Sequence, residues 1–269
     1  MRLIIKENYD SCAKWAADYI AQSINDFAPT KDKPYVLGLP TGSTPLGIYK
    51  RLIELNKKKV VSFENVITFN MDEYAGLDAN HDQSYHYFMH KNFFDFIDIK
   101  KENINILDGT APDLQKECDK YEEKIKAVGG IRLFLGGTGV DGHIAFNEPG
   151  SSLTSRTRVK TLTEDTRIVN SRFFGGDMSK VPQTALTVGI GTITDSQEVV
   201  IMMNGHNKAK ALLHAIEEPI SHMWPVSILQ LHKKAIIVCD EESTDELRVG
   251  TVKYFKGIES KNKDDYENL

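Results

Sequence analysis

Short apolar runs alternate with stretches of helical periodicity along this chain, and that alternation limits the possible folds more than any other feature. Runs such as VVIMM and AIIVC are apolar at every position, which is typical of parallel strands covered by helices on both faces. Such runs predict strands at Tyr35–Leu39, Val66–Asn70, Ile104–Leu107, Ile131–Leu135, Val199–Met203 and Ala235–Cys239.

Stretches with apolar residues at helical spacing lie between most of these runs. They predict helices over residues 7–27, 45–57, 84–96, 112–128, 207–216 and 244–258. In the last of them, Ser243 and Glu246 match a capping box. The alternation indicates an α/β fold with a doubly wound, mainly parallel sheet that begins at Tyr35. Ligands of such sheets bind beyond the carboxyl ends of the strands.

Composition favours one domain in the cytoplasm. The chain has 269 residues and a formal net charge of −5, and no repeat or linker divides it, so we expect one domain over 1–257 and a polar tail over 258–269. No apolar run approaches the roughly 20 residues of a membrane span, and no signal peptide is recognisable. The negative charge offers no general attraction to nucleic acid or to an anionic membrane, so we expect neither partner.

The first predicted strand is followed by Thr41, Gly42, Ser43, Thr44 and Pro45. Thr44 is placed as a helix N-cap, with Pro45 as the first helical residue. Glycine lets the backbone approach a ligand, and the free N–H groups of a helix start favour an anion, so this turn is a candidate phosphate cradle. A capped turn without a ligand explains the same residues equally well.

The second predicted strand is followed by two consecutive carboxylates, Asp72 and Glu73. A partly desolvated carboxylate at a strand end can have a raised pKa and act as a general base. From the residues alone, a loop acid that caps the next element is the better explanation. One of the two side chains is expected to point into the crevice.

The third strand end, around Gly137 to Gly142, matches G-x-G-x-x-G. A dinucleotide site is disfavoured because Pro149 and Gly150 would break the long helix that this fingerprint requires. The same loop places His143 between Asp141 and Glu148. A histidine flanked by acids predicts an acid/base group, and no zinc-type spacing is present.

Two basic residues remain undecided at this stage. Lys208 lies in the first turn of a predicted helix, where a cation opposes the helix dipole. It is either a surface residue, which the sequence slightly favours, or a group kept to neutralise a bound anion. Arg172 precedes Gly175 and Gly176, a pair that could hinge a lid.

Several segments closely resemble the glucosamine-6-phosphate deaminase family. They are LGLPTGSTP, FNMDEY, GGTGVDGHIAFNEPGSSLTSRTR, NSRFF and HMWPVSILQLH. The similarity runs from Met1 to about Tyr254. It implies a modified Rossmann-like single domain, usually assembled as a homohexamer, that converts glucosamine 6-phosphate and water to fructose 6-phosphate and ammonia. It also implies that neither a cofactor nor a metal is needed.

The resemblance implies roles for individual residues. Asp72 matches the base that moves a proton between C2 and C1, and His143 matches the group that opens the pyranose ring. Asp141 and Glu148 match the acids that orient His143 and tune its protonation. The substrate pocket, including its phosphate site, is matched by Thr41, Gly42, Ser43, Thr44, Gly137, Arg172 and Lys208.

The resemblance further implies regulation and a mobile lid over residues 162–185. Allosteric members bind N-acetylglucosamine 6-phosphate at subunit contacts, at positions matched by Ser151, Arg158, Lys160, Thr161 and Tyr254. Arg156, Arg158 and Lys160 alternate, so that all three share one face if the segment is a strand. Without the resemblance, a solvated edge strand is the better explanation.

Two other functions occur with similar architectures. A 6-phosphogluconolactonase would use a comparable phosphate site for ester hydrolysis, but FNMDEY together with DGHIAFNEP is not expected of it. A non-catalytic sugar-phosphate sensor would carry an N-terminal DNA-binding unit and a basic face. The negative charge and the early start of the sheet disfavour a sensor.

Overall fold

The computed structural model describes residues 1–262, in which strands and helices alternate. The strands are β1 (Arg2–Lys6), β2 (Tyr35–Leu39), β3 (Val66–Asn70), β4 (Asp72–Tyr74), β5 (Ile104–Asn105), β6 (Leu133–Gly137), β7 (Arg158–Thr161), β8 (Thr184–Thr187), β9 (Glu198–Met203) and β10 (Ala235–Asp240). The α-helices are α1 (Tyr9–Phe27), α2 (Leu46–Lys57), α3 (Tyr85–Asn92), α4 (Leu114–Ala127), α5 (Glu164–Ser171), α6 (Ile190–Thr194), α7 (Ala209–Ile216) and α8 (Val249–Glu259).

A seven-stranded parallel sheet forms the centre of the molecule, in the order β1-β10-β9-β6-β2-β3-β5. The doubly wound, mainly parallel α/β fold is therefore confirmed, and all six predicted strands are present with small shifts at their ends. The prediction that the sheet begins at Tyr35 is wrong. β1 precedes α1 and pairs with β10 at the sheet edge. Its apolar run is only Leu3–Ile5, which is too short to stand out before the helix.

Helices cover both faces of this sheet, and alternate residues of each strand face opposite ways. Leu37 of β2 and Val238 of β10 pack in one core cluster with residues of α1 and α2. Val36 and Ile237, their neighbours in sequence, pack in the other cluster with residues of α4 and α7. The continuous apolar strands thus have the two-sided burial that their sequences predict.

A second, three-stranded antiparallel sheet, β4-β8-β7, continues from the end of β3. Only Met71 separates β3 from β4. Its N–H donates to Leu39 O of β2, and its carbonyl accepts from Val188 N at 2.7 Å. The small sheet therefore begins at the carboxyl edge of the large one, where a ligand is expected.

Two predicted helix caps are wrong. Ser243 and Glu246 do not form a capping box: Ser243 lies in a 3-10 turn, where its Oγ donates to Asp240 O at 2.8 Å, and α8 begins only at Val249. Thr44 is not the N-cap of α2, because Pro45 takes that position without a side-chain hydrogen bond.

The end of the chain was predicted as a polar tail over 258–269. α8 continues through Glu259, and residues 263–269 lie outside the described part of the chain. Among residues 1–262, no helix has both the length and the apolar character needed to cross a membrane.

β2 packs closely against β6, so replacement by alanine should have different effects at Gly38 of β2 and at Gly257 of α8. A Cβ at Gly38 would lie 2.6 Å from the Phe134 ring, whereas one at Gly257, inside α8, would meet nothing within 4 Å. We expect Gly38→Ala to lower the free energy of unfolding by about 1–3 kcal/mol. Gly257→Ala should raise it by roughly 0.5–1 kcal/mol. Urea unfolding of both variants checks this, and equal effects would contradict the described packing.

Candidate active site

The candidate site lies where β9, β6, β2 and β3 end side by side. The turns after β2, β6 and β9 contain the phosphate-cradle residues, the His143 loop and Lys208 respectively. Because these strands are neighbours and parallel, their carboxyl ends share one edge of the sheet. The fold therefore brings together loops that are far apart in sequence.

The turn after β2 is shaped by Gly42 and packs against the end of β6. Gly42 has a φ of +93°, a left-handed conformation that favours glycine. A Cβ at Gly137 would lie 3.5 Å from the Thr44 side chain. Thr41 is half-buried and Ser43 is exposed. The turn therefore presents a backbone loop and hydroxyl groups beside Gly137.

Asp72 and Glu73 take opposite roles, although they are adjacent. The Glu73 carboxylate caps α3, accepting from Tyr85 N and His86 N at 2.9 Å each. Asp72 is only 6% exposed. Burial first and the charge of Glu73 second raise its pKa well above the ordinary value. Within residues 1–262 no group donates a hydrogen bond to its carboxylate, which makes Asp72 the acid available for chemistry.

His143 and Asp141 form a close pair on the loop after β6. Nδ1 of His143 lies 2.7 Å from Oδ1 of Asp141, a close contact rather than a well-aligned hydrogen bond. Burial alone would raise the pKa of Asp141, but the adjacent imidazole outweighs it and lowers the pKa. A Cβ at Gly139 would meet the imidazole at 2.2 Å. Only glycine at that position leaves room for the pair.

Glu148 is buried, but its hydrogen bonds do not go to His143. Oε1 accepts from the backbone N and Oγ1 of Thr163, at 3.1 and 2.8 Å, and from the Thr166 hydroxyl. Oε2 lies 3.7 Å from Nζ of Lys160 and has no hydrogen-bond partner among residues 1–262. In this conformation the carboxylate binds the start of α5.

Asn147 is a buried site residue that sequence reasoning missed. Its Nδ2 donates to Ile144 O at 2.9 Å and to Val188 O at 2.8 Å, while Oδ1 accepts from Nη1 of Arg158 at 2.8 Å. It ties the His143 loop to β8, which pairs with the strand carrying Asp72. The available signal was a polar residue at the end of the apolar run Ile144–Phe146.

The two undecided cations lie near this loop. Burial lowers the pKa of Lys208; the negative charge of Asp141 opposes that shift, and the positive charge of Arg172 adds to it. Lys208 follows β9, and Asp141 follows β6, the strand beside it. Lys208 therefore lies at the sheet edge that carries the candidate site. Arg172 itself is exposed, with its guanidinium carbon 4.7 Å from the centroid of the Phe173 ring.

The family resemblance implies a regulatory site, and three of its residues lie next to Asn147 and Glu148. Arg158 bonds Asn147, Lys160 approaches Glu148, and Ser151 N donates to Glu148 O at 3.0 Å. Oγ of Ser151 is buried and has no hydrogen-bond partner within residues 1–262. A buried polar group without a partner is destabilising.

The remaining two regulatory positions, and Arg156, lie apart from that group. Thr161 is exposed at the end of β7. Tyr254 lies on α8, which packs against β1, and is 64% exposed.

Arg156 precedes β7 and pairs with Glu122 and Asp195 at 2.9 and 2.6 Å. The expected shared face with Arg158 and Lys160 is therefore wrong, because the strand begins only at Arg158. As predicted for an edge strand, β7 pairs on one side only.

Within residues 1–262, no group of three or more His, Cys, Asp or Glu side chains is arranged to hold a metal ion.

Comparison with known proteins finds similarity over most of the chain. The family model described as glucosamine-6-phosphate isomerases/6-phosphogluconolactonase matches residues 7–238. A glucosamine-6-phosphate deaminase of Borreliella burgdorferi is 68% identical over 262 residues, covering 97% of this chain and 98% of the relative. One from Bacteroides thetaiotaomicron is 65% identical over 260 residues, covering 97% and 96%.

Solved structures share the fold. A structure described as a monomeric glucosamine-6-phosphate deaminase, a missing link of the NagB superfamily, has a TM-score of 0.87 at 39% identity, covering 91% of this chain and all of that one. A 6-phosphogluconolactonase from Trypanosoma cruzi has a TM-score of 0.71 at 20% identity, covering 91% of this chain and 96% of that one. The second similarity concerns the fold alone.

Proposed function

The chain belongs to the family of glucosamine-6-phosphate isomerases and 6-phosphogluconolactonases, and we propose that it deaminates glucosamine 6-phosphate in cytoplasmic amino-sugar breakdown. The products are fructose 6-phosphate and ammonia, and water is consumed. The observation that carries this proposal is the buried, unbonded carboxylate of Asp72 at the sheet edge that also holds the His143–Asp141 pair. The similarity to glucosamine-6-phosphate deaminases over nearly the whole chain supports the same reaction.

Asp72 is the proposed base for the isomerisation. It removes the proton from C2 of the open-chain amino sugar while the aldehyde oxygen gains a proton, giving an enolamine. It then returns the proton to C1 while the amino group gives up a proton and becomes the imine. The resulting imine at C2 is hydrolysed by water, which releases ammonia and leaves the C2 ketone. A raised pKa brings a carboxylate closer to the operating pH, where a general base is most effective.

His143 is the proposed group for ring opening, with Asp141 as its partner. The lowered pKa of Asp141 keeps that carboxylate ionised beside Nδ1. An imidazole whose Nδ1–H faces a carboxylate presents Nε2 as a proton acceptor. It can take the proton from the anomeric hydroxyl and deliver it to the ring oxygen, so that the pyranose opens to the aldehyde.

Glu148 is proposed to tune the protonation of His143 after a lid movement. Its contacts with Thr163 and Thr166 belong to residues 162–185, the segment assigned to a lid by resemblance. Movement of that segment would release the carboxylate. Gly175 and Gly176 both have positive φ values, 68° and 80°, which suits a hinge.

The phosphate of the substrate is proposed to bind between the Gly42–Thr44 turn, Arg172 and Lys208, with Thr41 and Gly137 completing the pocket. The turn supplies N–H groups and hydroxyls, and the two cations supply charge. Burial and the positive charge of Arg172 both lower the pKa of Lys208. A bound phosphate dianion would offset both effects, as expected of a phosphate pocket.

N-acetylglucosamine 6-phosphate is the proposed activator, bound by Ser151, Arg158, Lys160 and Thr161. Activation requires that it bind one conformational state more tightly than another. Because Tyr254 lies on a different part of the fold, we propose that it reaches this site from a neighbouring subunit of a homohexamer. The similar deaminase of known structure is described as monomeric, so light scattering of this protein decides its assembly.

One assay tests the proposed function against its alternatives. Purified protein is mixed with glucosamine 6-phosphate, and ammonia is followed by coupling to glutamate dehydrogenase. A 6-phosphogluconolactonase would instead hydrolyse its lactone without releasing ammonia, and a sensor would bind the sugar without turnover.

Replacing the proposed base should remove turnover while leaving the fold intact. We expect Asp72→Asn to bind substrate but to lose roughly two orders of magnitude or more in kcat, the usual contribution of a positioned base. Asp78→Asn, at an exposed loop acid, is the matched control. Turnover of purified Asp72→Asn at the wild-type rate would refute the assignment.

The proposed anion site predicts that charge removal weakens substrate capture. Lys208→Ala and Arg172→Ala should each raise KM about tenfold or more, because each removes a charge-assisted contact to the phosphate. Lys210→Ala, at an exposed lysine nearby, should not. Initial-rate kinetics measure these values. Turnover of unphosphorylated glucosamine as efficiently as its phosphate ester would show that the site is wrong.

The proposed activator site is tested most cleanly at Ser151, whose Oγ has no partner to lose. We expect N-acetylglucosamine 6-phosphate to activate the wild-type enzyme, and Ser151→Ala to require a several-fold higher concentration for half-maximal activation. Rates are measured across activator concentrations at subsaturating substrate. Rates unaffected by the activator in both proteins would mean that the enzyme is unregulated at this site.

A further inference from the structure

Tyr9, at the start of α1, completes the first turn of α2. Pro45, at the N-cap of α2, makes no capping hydrogen bond with its own side chain. Leu46 N reaches Ser43 O only at 3.3 Å. Gly47 N instead donates to Oη of Tyr9 at 2.8 Å. Helix starts need such partners for their free N–H groups, and here a different helix supplies one.

The same hydroxyl also bonds the turn before α2. Oη of Tyr9 donates to Thr44 O at 3.1 Å and approaches Ser43 O at 3.3 Å. It therefore accepts from α2 and donates to the turn, so that one oxygen atom fixes their relative position. This is the turn that is proposed to hold the substrate phosphate.

Close approach of α1 and α2 fixes the hydroxyl in place. A Cβ at Gly47 would lie 2.8 Å from Cβ of Ala13 and 3.0 Å from Oη of Tyr9. The Tyr9 side chain is half-buried in this contact. It is thus held between the helices rather than free to move with solvent.

An open cleft of about 490 Å³ lies beside this hydroxyl. Tyr9, Ser43 and Thr44 line it together with Lys50 and Asn204. Asn204 follows β9 and leads into the turn that carries Lys208. Tyr9 therefore forms part of the wall on the side where the turns after β2 and β9 approach each other.

We propose that Tyr9 is a positioning residue for phosphate recognition, acting through its hydrogen bonds to Thr44 O and Gly47 N. The inference rests on the proposed function, because it assigns Tyr9 to the phosphate site of that reaction. Tyr9 touches the turn and not the reacting carbons. Its effect therefore falls on binding of the phosphate group and not on the proton transfers at C1 and C2.

Tyr9→Phe tests the role by removing one oxygen atom. Loss of the hydroxyl leaves Gly47 N–H without its partner and loosens the turn. We expect KM for glucosamine 6-phosphate and the inhibition constant of inorganic phosphate to rise by the same factor, about two- to tenfold, as for one lost hydrogen bond. The value of kcat should change less than about twofold, and kcat/KM for unphosphorylated glucosamine should stay unchanged.

Tyr35→Phe is the matched control, because the Tyr35 hydroxyl bonds Ser23 Oγ at 2.8 Å on the far end of β2. It removes the same atom and should leave both phosphate constants unchanged. Unaltered constants in Tyr9→Phe, or an equal rise in Tyr35→Phe, would overturn the proposal. So would an equal loss with unphosphorylated glucosamine, which would indicate a general structural defect.

Direct calorimetry of inorganic phosphate binding separates this inference from the proposed reaction. Weaker phosphate binding by Tyr9→Phe supports the positioning role even if the wild-type protein releases no ammonia. Ammonia release with identical phosphate binding in both proteins would overturn the positioning role and leave the proposed reaction standing.

Discussion

The site depends on the burial of one carboxylate, Asp72, which within residues 1–262 has neither a cation nor a hydrogen-bond donor beside it. A buried charge without partners is expensive, so a group in this position has a raised pKa. The surrounding structure holds it there. β4, which begins with Asp72, pairs with β8, and the bond from Val188 N to Met71 O fixes the residue before it. The small sheet thus keeps a destabilising group at the edge of the large one.

Three other polar side chains of the site region, Glu73, Asn147 and Glu148, bond to neighbouring loops and helix starts. Glu73 caps α3, Asn147 joins the His143 loop to β8, and Glu148 binds the start of α5. Each bond fixes a loop whose backbone would otherwise be free to shift. The contact between Lys160 and Glu148 also gives the proposed activator site a short physical route to the proposed catalytic loop. A ligand that changes the position of Lys160 would change the charge facing Glu148.

Much of the large sheet could be predicted from the sequence, because fully apolar runs are hard to reconcile with any other structure. The small sheet could not. Its strands DEY, RVKT and TALT are short and partly polar, and their pairing depends on segments up to about a hundred residues apart in sequence. β1 was missed because its run is short and leads directly into a helix.

Individual roles at the site depended on tertiary contacts. Asp72 and Glu73 are identical in local pattern, and only the approach of α3 decides which one becomes a cap. The capping box at Ser243 failed because the residues after β10 form a 3-10 turn, and α8 begins only at Val249. Tyr9 carries no sequence signal of its role, and Asn147 carries only its position as a polar residue after an apolar run. The loop of Asp141 and His143 was predictable because glycines and three titratable groups coincide at one strand end.

The pH dependence of stability tests most directly whether the carboxylate of Asp72 has a raised pKa in the folded state. The measurement is the free energy of unfolding of the wild-type protein and of Asp72→Asn, by urea titration between about pH 4 and pH 9. Below the unfolded pKa both side chains are neutral. As pH rises toward the folded pKa, the unfolded wild-type chain releases a proton that the folded protein retains. Asp72→Asn should therefore gain stability relative to wild type as pH rises. A difference that stays constant, or that moves in favour of the wild type, would contradict the account.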